Sequence, residues 1–265
     1  MVWDESQGHR GSNETGSLIY QHLRYNISPC VQHVVITSDS TVAQNRNQFI
    51  TSLLLLVVQS IPNLMTIEQK FLEPGHTEME VDSMHSAIEH VRKKMRISSP
   101  YEWPAVIQAA RREKPYKVHE VDREDYVELH QLPKLLKAER SLKGIPWMKV
   151  KCVRVTKGLK HETEIKTDYC SEYQKVTLQK AETQRTRRAG TKGLACVDVS
   201  LLKPAYPKSL PISKAKKADL MALCASGVIT KRFHDFYDQL QTSDAVRDCL
   251  PEPDFTESSD EQPSV

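Results

Sequence analysis

The carboxylate best placed to do chemistry in this sequence is Asp39, which stands in a polar stretch between two apolar segments. Residues 34–58 read VVITSDSTVAQNRNQFITSLLLLVV, so Asp39 directly follows a β-branched run. In open α/β sheets, ligands bind beyond the carboxyl ends of the strands, and a functional carboxylate belongs there. The alternative is a turn or helix-capping residue, which is the commoner role of aspartate between two serines.

Three further polar residues share one side of a predicted helix. Asp82, His85 and Glu89 are spaced i, i+3 and i+7, so they form one stripe. With Asp39, the carboxylates of Asp82 and Glu89 could hold Mg²⁺ or Mn²⁺, which take oxygen ligands and bridge them to phosphates. These residues are the catalytic candidates. The alternative is a solvated helix face on which Asp82 caps the helix.

Basic and amide side chains supply candidate contacts to a nucleic acid. Cations attract the phosphate backbone, and a loop containing glycine and threonine can follow it. The candidates are Gln44, Asn45, Arg46, Lys93, Lys94, Arg185, Arg187, Arg188 and Lys192. The alternative for the densest group, residues 184–192, is a solvated surface loop. The net charge of +3 argues against strong nonspecific DNA binding by the chain as a whole.

The elements that would position these residues alternate between helix and strand. A β-branched strand is predicted at 31–37, central in a sheet, and a buried helix at 49–60 with Asn45 or Asn47 as its N-cap. A second strand is predicted at 67–72. A further helix follows at 82–96, where Met84, Ile88, Val91 and Met95 form one buried stripe. This order indicates an α/β fold.

The remainder of the chain divides by composition. Residues 115–200 contain strand-like pieces between charged loops, and residues 213–240 are predicted to be helical. The end of the chain is acidic and poor in apolar residues, which predicts disorder. The predicted domains are an α/β core at 1–112, a smaller α+β region at 113–241 and an acidic tail at 242–265.

Several function classes lack their sequence signatures. There is no GxGxxG or Walker loop, so we expect no nucleotide cofactor. The longest apolar run, residues 53–58, is far shorter than the roughly 20 residues of a membrane span, and the amino terminus lacks an apolar signal region. The six cysteines form no CxxC pair. We therefore expect an intracellular protein with no membrane contact.

Three sequence blocks in combination carry a resemblance to a known family. The blocks are WDESQGHRGSNE, SDSTVAQNRN and GHTEMEVDSMHSAIE. They resemble transposon-derived animal proteins labelled as a domain of unknown function, whose fold is similar to the RNase H-like core of DDE transposases and integrases. Such folds use three carboxylates and two metal ions for phosphoryl transfer on DNA. The resemblance implies a three-layer core in which Asp39 follows the fourth strand and Asp82 or Glu89 is the third carboxylate.

The resemblance also implies a deficit, because the first strand of such a core and its carboxylate have no counterpart in this sequence. We therefore expect a transposase-derived, nucleic-acid-associated protein with impaired catalysis, DNA as its partner and the nucleus as its compartment. One alternative is an active nuclease or transposase that uses Mg²⁺ or Mn²⁺. Another alternative is a non-enzymatic protein-interaction module.

Overall fold

Five strands form one mixed sheet whose order follows the chain. The computed structural model describes residues 1–73, 79–178, 199 and 202–247. The strands are β1 (His33–Ser38), β2 (Thr66–Phe71), β3 (Cys152–Thr156), β4 (Glu162–Lys166) and β5 (Gln174–Thr177). β1 and β2 are parallel and the remaining neighbours are antiparallel. The predicted α/β class is confirmed.

Eight α-helices accompany the sheet within the described residues. They are α1 (Ser12–Tyr25), α2 (Gln48–Ser60), α3 (Glu80–Arg92), α4 (Trp103–Ala109), α5 (Leu132–Leu135), α6 (Glu139–Lys143), α7 (Lys214–Ala225) and α8 (His234–Gln239). None of the described helices combines the length and apolarity that crossing a membrane requires.

Helix α2 is the centre of the core, as its sequence predicts. Every residue from 50 to 58 is buried, because α2 contacts α1, α5 and α6 as well as strands β2 and β3. The helix begins at its N-cap Asn47, whose side-chain oxygen accepts hydrogen bonds from the backbone of Phe49 and Ile50. It ends before Pro62, which cannot continue a helix. The predicted helix at 49–60 is confirmed.

Two predictions about neighbouring elements are wrong. β1 is not central, because no described strand pairs with its second edge and Val35 is 57% exposed. Helix α3 contains no buried residue, so the predicted stripe through Met84 and Ile88 is only half-buried, and Met95 lies beyond the helix and is exposed. Periodicity identifies the side of a helix that packs, but it does not tell how completely that side is covered.

The chain divides into two compact units, Met1–Ser209 and Leu210–Val265. The boundary that composition predicts, at residue 112, lies inside the first unit. The reason is that β2 pairs with β3, which places β3–β5 in the same sheet as β1 and β2. In the second unit, α7 and α8 pack around Cys224, Ile229 and Tyr237. Residues 248–265 of the predicted acidic tail lie outside the described residues.

The face of the sheet opposite α2 carries a charged pair. Glu68 on β2 lies opposite Arg154 on β3, whose Nε and Nη2 atoms donate to one oxygen of Glu68 at 3.1 and 2.8 Å. Burial raises the pKa of Glu68, but Arg154, Tyr173 and Lys70 together more than offset this effect, so the pKa lies below its ordinary value of 4.5. The folded state therefore favours the charged form of Glu68.

We expect this pair to make stability depend on pH. A carboxylate with a lowered folded pKa stabilises the protein above its unfolded pKa, and that contribution is lost as pH falls through the folded pKa. Glu68→Gln should therefore destabilise the protein at neutral pH, and this effect should fade as pH drops from about 4.5 through the lower folded pKa. Denaturant unfolding across the acidic range measures the difference, with the exposed Glu172→Gln as control. A difference that stays constant with pH would contradict the assignment.

Candidate functional site at the carboxyl ends of β1 and β2

A tight turn links β1 to α2 and places polar residues at the sheet edge. The carbonyl oxygen of Thr41 accepts hydrogen bonds from the backbone of Asn45 at 2.9 Å and of Arg46 at 3.2 Å. The next residue, Asn47, caps α2 and also donates to the carbonyl oxygen of Val42 at 2.8 Å. Because β1 and β2 are parallel, this turn lies where both strands end.

Asp39 is the first residue of this turn, and the turn itself satisfies its carboxylate. The Asn45 side-chain amide donates to Oδ1 of Asp39 at 2.6 Å, and the hydroxyl of Thr41 donates to Oδ2 at 2.7 Å. The backbone N–H of Thr41 adds a longer bond of 3.3 Å. Asp39 therefore lies at the predicted edge of the sheet, but its bonds are those of a turn-forming residue.

Arg46 differs from Asp39 because its side chain is buried without a matching partner. It is only 5% exposed, and its Nε atom is buried with no hydrogen-bond partner. None of the ion pairs among the described residues includes it. The guanidinium lies 5.9 Å from the centre of the Phe71 ring. Burial lowers the pKa of Arg46, while Tyr169 and Asp39 oppose that shift.

Two residues from distant parts of the sequence complete this edge, and sequence reasoning missed both. Tyr169, between β4 and β5, donates a hydrogen bond from its hydroxyl to the carbonyl oxygen of Phe71. Lys151, just before β3, lies 5.8 Å from the centre of the Tyr169 ring and pairs with Glu73 at 2.9 Å. We call Asp39, Asn45, Arg46, Lys151 and Tyr169 the carboxyl-edge cluster.

A buried glutamine connects this cluster to the core. Gln69 on β2 is 1% exposed and donates through Nε2 to the carbonyl oxygen of Asn45 at 3.3 Å. Its Oε1 atom is buried without a partner. Gln44, the other predicted amide contact, is half-buried in the turn. The edge thus contains both a buried donor, on Arg46, and a buried acceptor, on Gln69, that no described residue satisfies.

The predicted catalytic residues of α3 lie on an exposed helix and are engaged locally. The side chain of Asp82 accepts a hydrogen bond from the backbone of Met79 at 2.7 Å, as a residue in the first turn of a helix does. Glu89 pairs with Arg92 at 3.0 Å, and His85 is exposed. Among the described residues, no three His, Cys, Asp or Glu side chains are grouped so that they could hold a metal ion. The described residues thus do not show the three-carboxylate arrangement that the family resemblance implies.

Apart from Arg46, the predicted basic contacts fall in two groups. Lys93 and Lys94 are exposed at the end of α3, where Lys94 contacts the side chain of His90 at 2.9 Å. The four cations of the predicted basic loop, Arg185, Arg187, Arg188 and Lys192, lie outside the described residues. Of the predicted contacts, the structure therefore brings only Asn45 and Arg46 into the carboxyl-edge cluster.

Comparison with known proteins gives one match. No curated protein and no solved structure matches the chain. A family model described as a domain of unknown function, DUF7869, matches residues 2–161, which include α1 to α6, the first three strands and most of the carboxyl-edge cluster. Because this match spans more than half of the 265 residues, the chain belongs to the DUF7869 family.

Proposed function

We propose that this chain is a nucleic-acid-associated protein whose carboxyl-edge cluster binds phosphate and does not catalyse phosphoryl transfer. The contrast between Asp39 and Arg46 carries the proposal. The turn engages both oxygens of Asp39, whereas the buried guanidinium of Arg46 has an unpaired Nε and no ion-pair partner among the described residues. A satisfied anion beside an unsatisfied cation favours an anionic ligand, and arginine suits phosphate through its fork of donors.

The same proposal has three further parts: descent from an RNase H-like transposase, DNA as the partner and the nucleus as the compartment. The parallel unit β1–α2–β2, with Asp39 at its carboxyl end, supports the assignment of Asp39 to the position after the fourth strand of such a core. No described strand pairs with the second edge of β1, so one more strand can pair at that edge. Impaired catalysis follows from the local engagement of Asp39, Asp82 and Glu89.

The salt dependence of DNA binding tests this proposal. Each phosphate contact with single-stranded DNA contributes about 0.7 to the slope of log affinity against log salt concentration. We expect Arg46→Gln to weaken binding of single-stranded DNA and to reduce that slope by about 0.7. Fluorescence anisotropy over a series of salt concentrations measures both quantities.

Lys160→Gln is the matched control. Lys160 is an exposed cation after β3. Since β3 is antiparallel to β2, that end of β3 lies at the amino ends of β1 and β2, opposite the cluster. Its substitution removes the same charge and should leave the slope unchanged. Equal effects of the two substitutions would reduce the role of Arg46 to net charge, and the absence of any salt-sensitive affinity would refute nucleic-acid binding.

An active nuclease or transposase that uses Mg²⁺ or Mn²⁺ is the second candidate. The position of Asp39 at the carboxyl ends of two parallel strands favours it, since functional groups in α/β sheets gather there. It requires Asp82 or Glu89 to join Asp39 around the ion. Metal-dependent DNA cleavage that Asp39→Asn abolishes and Glu172→Gln leaves intact would replace our proposal with this one.

A further inference from the structure

The buried position of Arg46 restricts the kind of phosphate that can reach it. The residue is 5% exposed, its guanidinium lies beside the Phe71 ring, and Tyr169 is close enough to influence its pKa. Cations on an open surface, such as Lys93 and Lys94, can follow a continuous backbone. Because so little of Arg46 reaches the surface, a group that enters end-on can reach it more readily than a continuous backbone can.

This restriction distinguishes two kinds of phosphate in a nucleic acid. An internal phosphodiester carries a nucleoside on each of two ester oxygens, so both neighbours must fit beside it. A terminal phosphate monoester has one ester bond and three free oxygens, so it can enter a narrow opening ahead of its strand. Its free oxygens also match the paired donors of a guanidinium.

The other members of the carboxyl-edge cluster suit such an end. Lys151 adds a second cation, which pairs with Glu73 at 2.9 Å and, with its side chain 24% exposed, is nearer to solvent than Arg46. Hydrogen bonds from Thr41 and Asn45 to Asp39 disperse the nearby negative charge.

We propose that the carboxyl-edge cluster recognises the terminal phosphate monoester of a nucleic-acid strand, with Arg46 as the principal contact. This inference rests on the proposed phosphate-binding function and specifies its ligand. Recognition of an end would give the protein a preference for cleaved or processed strands over continuous ones.

The test compares oligonucleotides that differ only at their ends. Single strands of about 12 nucleotides are prepared with a 5′-phosphate, with a 3′-phosphate or with hydroxyls at both ends. We expect the full chain to bind one or both phosphorylated strands about tenfold more tightly than the hydroxyl strand. Arg46→Gln should remove the preference, and Lys160→Gln should keep it.

Two further measurements keep the test independent of folding defects in the variant. Arg46→Lys retains the charge but not the fork of donors, so we expect a reduced preference with the general affinity retained. With the unmodified chain, inorganic phosphate at constant ionic strength should weaken binding of the phosphorylated strand more than binding of the hydroxyl strand. Circular dichroism and thermal unfolding establish that each variant is folded.

The possible failures are distinguishable. Equal affinity for all three strands, with binding still weakened by Arg46→Gln, would overturn end recognition and leave the proposed phosphate-binding function intact. Absence of salt-sensitive binding to any strand would overturn both. A preference for the 5′-phosphate or for the 3′-phosphate supports the inference and identifies which end is bound.

Discussion

Leu54→Ala should lower the free energy of unfolding by about 3 to 4 kcal/mol, because it leaves a cavity that the core cannot close. Leu54 is fully buried near the middle of α2, and its neighbours Leu53 and Leu55 are also buried. Three helices and two strands pack around α2, so relaxation on one side would disrupt packing on another. A loss of this size is a large fraction of the 5–15 kcal/mol that stabilises a typical domain.

Leu135→Ala provides the control for this prediction. Leu135 is also a helical leucine, but it is 47% exposed at the end of α5. Its substitution should cost less than about 1 kcal/mol, since little area is removed from contact. Guanidinium unfolding followed by tryptophan fluorescence measures both variants, and Trp147 reports on the core against which it packs. Similar losses in the two variants would contradict a core centred on α2.

The confirmed prediction of α2 shows which signals a sequence carries locally. Apolar residues lie on most sides of the helix predicted at 49–60, so that helix must be buried whichever elements surround it. The strand predicted at 31–37 is also found, as β1 at His33–Ser38. Its place in the sheet was not predictable, because a β-branched strand with apolar residues on both faces fits a centre or an edge equally well. Strand order depends on pairing with residues far away in sequence.

The candidate site also combines residues that a local pattern identifies with residues that only long-range strand pairing brings in. The position of Asp39 beyond a strand, and of Asn45 and Arg46 beside it, was predictable from a short polar stretch. Lys151 and Tyr169 were not, because they join the cluster only through the pairing of β2 with β3 and the turn after β4. Tyr169, which influences the pKa of Arg46, is one of these later residues. No short pattern in the sequence distinguishes a buried arginine from an exposed one.

The start of α1 shows how long-range bonds can displace a local rule. Ser12 and Asn13 are typical helix-capping residues, yet the N-cap is Gly11. The Ser12 hydroxyl instead donates to the carbonyl oxygen of Ala43, and the Asn13 side chain accepts from the backbone of Leu129. Both side chains thus join α1 to segments more than 30 residues away. Glu14 provides the cap instead, because its side chain accepts a hydrogen bond from the backbone of Gly11.

Glu14→Ala should therefore destabilise the protein by about 3 kcal/mol, because it deprives two backbone N–H groups and a tyrosine hydroxyl of their shared buried acceptor. Glu14 is 1% exposed. Its two oxygens accept from the backbone of His9 at 2.8 Å and of Gly11 at 2.9 Å, and also from the hydroxyl of Tyr206. One carboxylate thus caps α1 and links residues near the start of the first unit, His9 and Gly11, to Tyr206 near its end.

Glu14→Gln removes the charge of Glu14 and one of its two acceptor oxygens. The amide keeps one acceptor oxygen but replaces the other with a donor that faces a backbone N–H, so we expect a loss of about 1 to 2 kcal/mol. Tyr206→Phe removes only the hydroxyl bond and should cost about 1 kcal/mol. Denaturant unfolding of the three variants gives the order Ala, Gln, Phe from largest to smallest loss. If Glu14→Ala costs no more than Tyr206→Phe, the cap of α1 contributes little, and the carboxylate serves mainly to hold Tyr206.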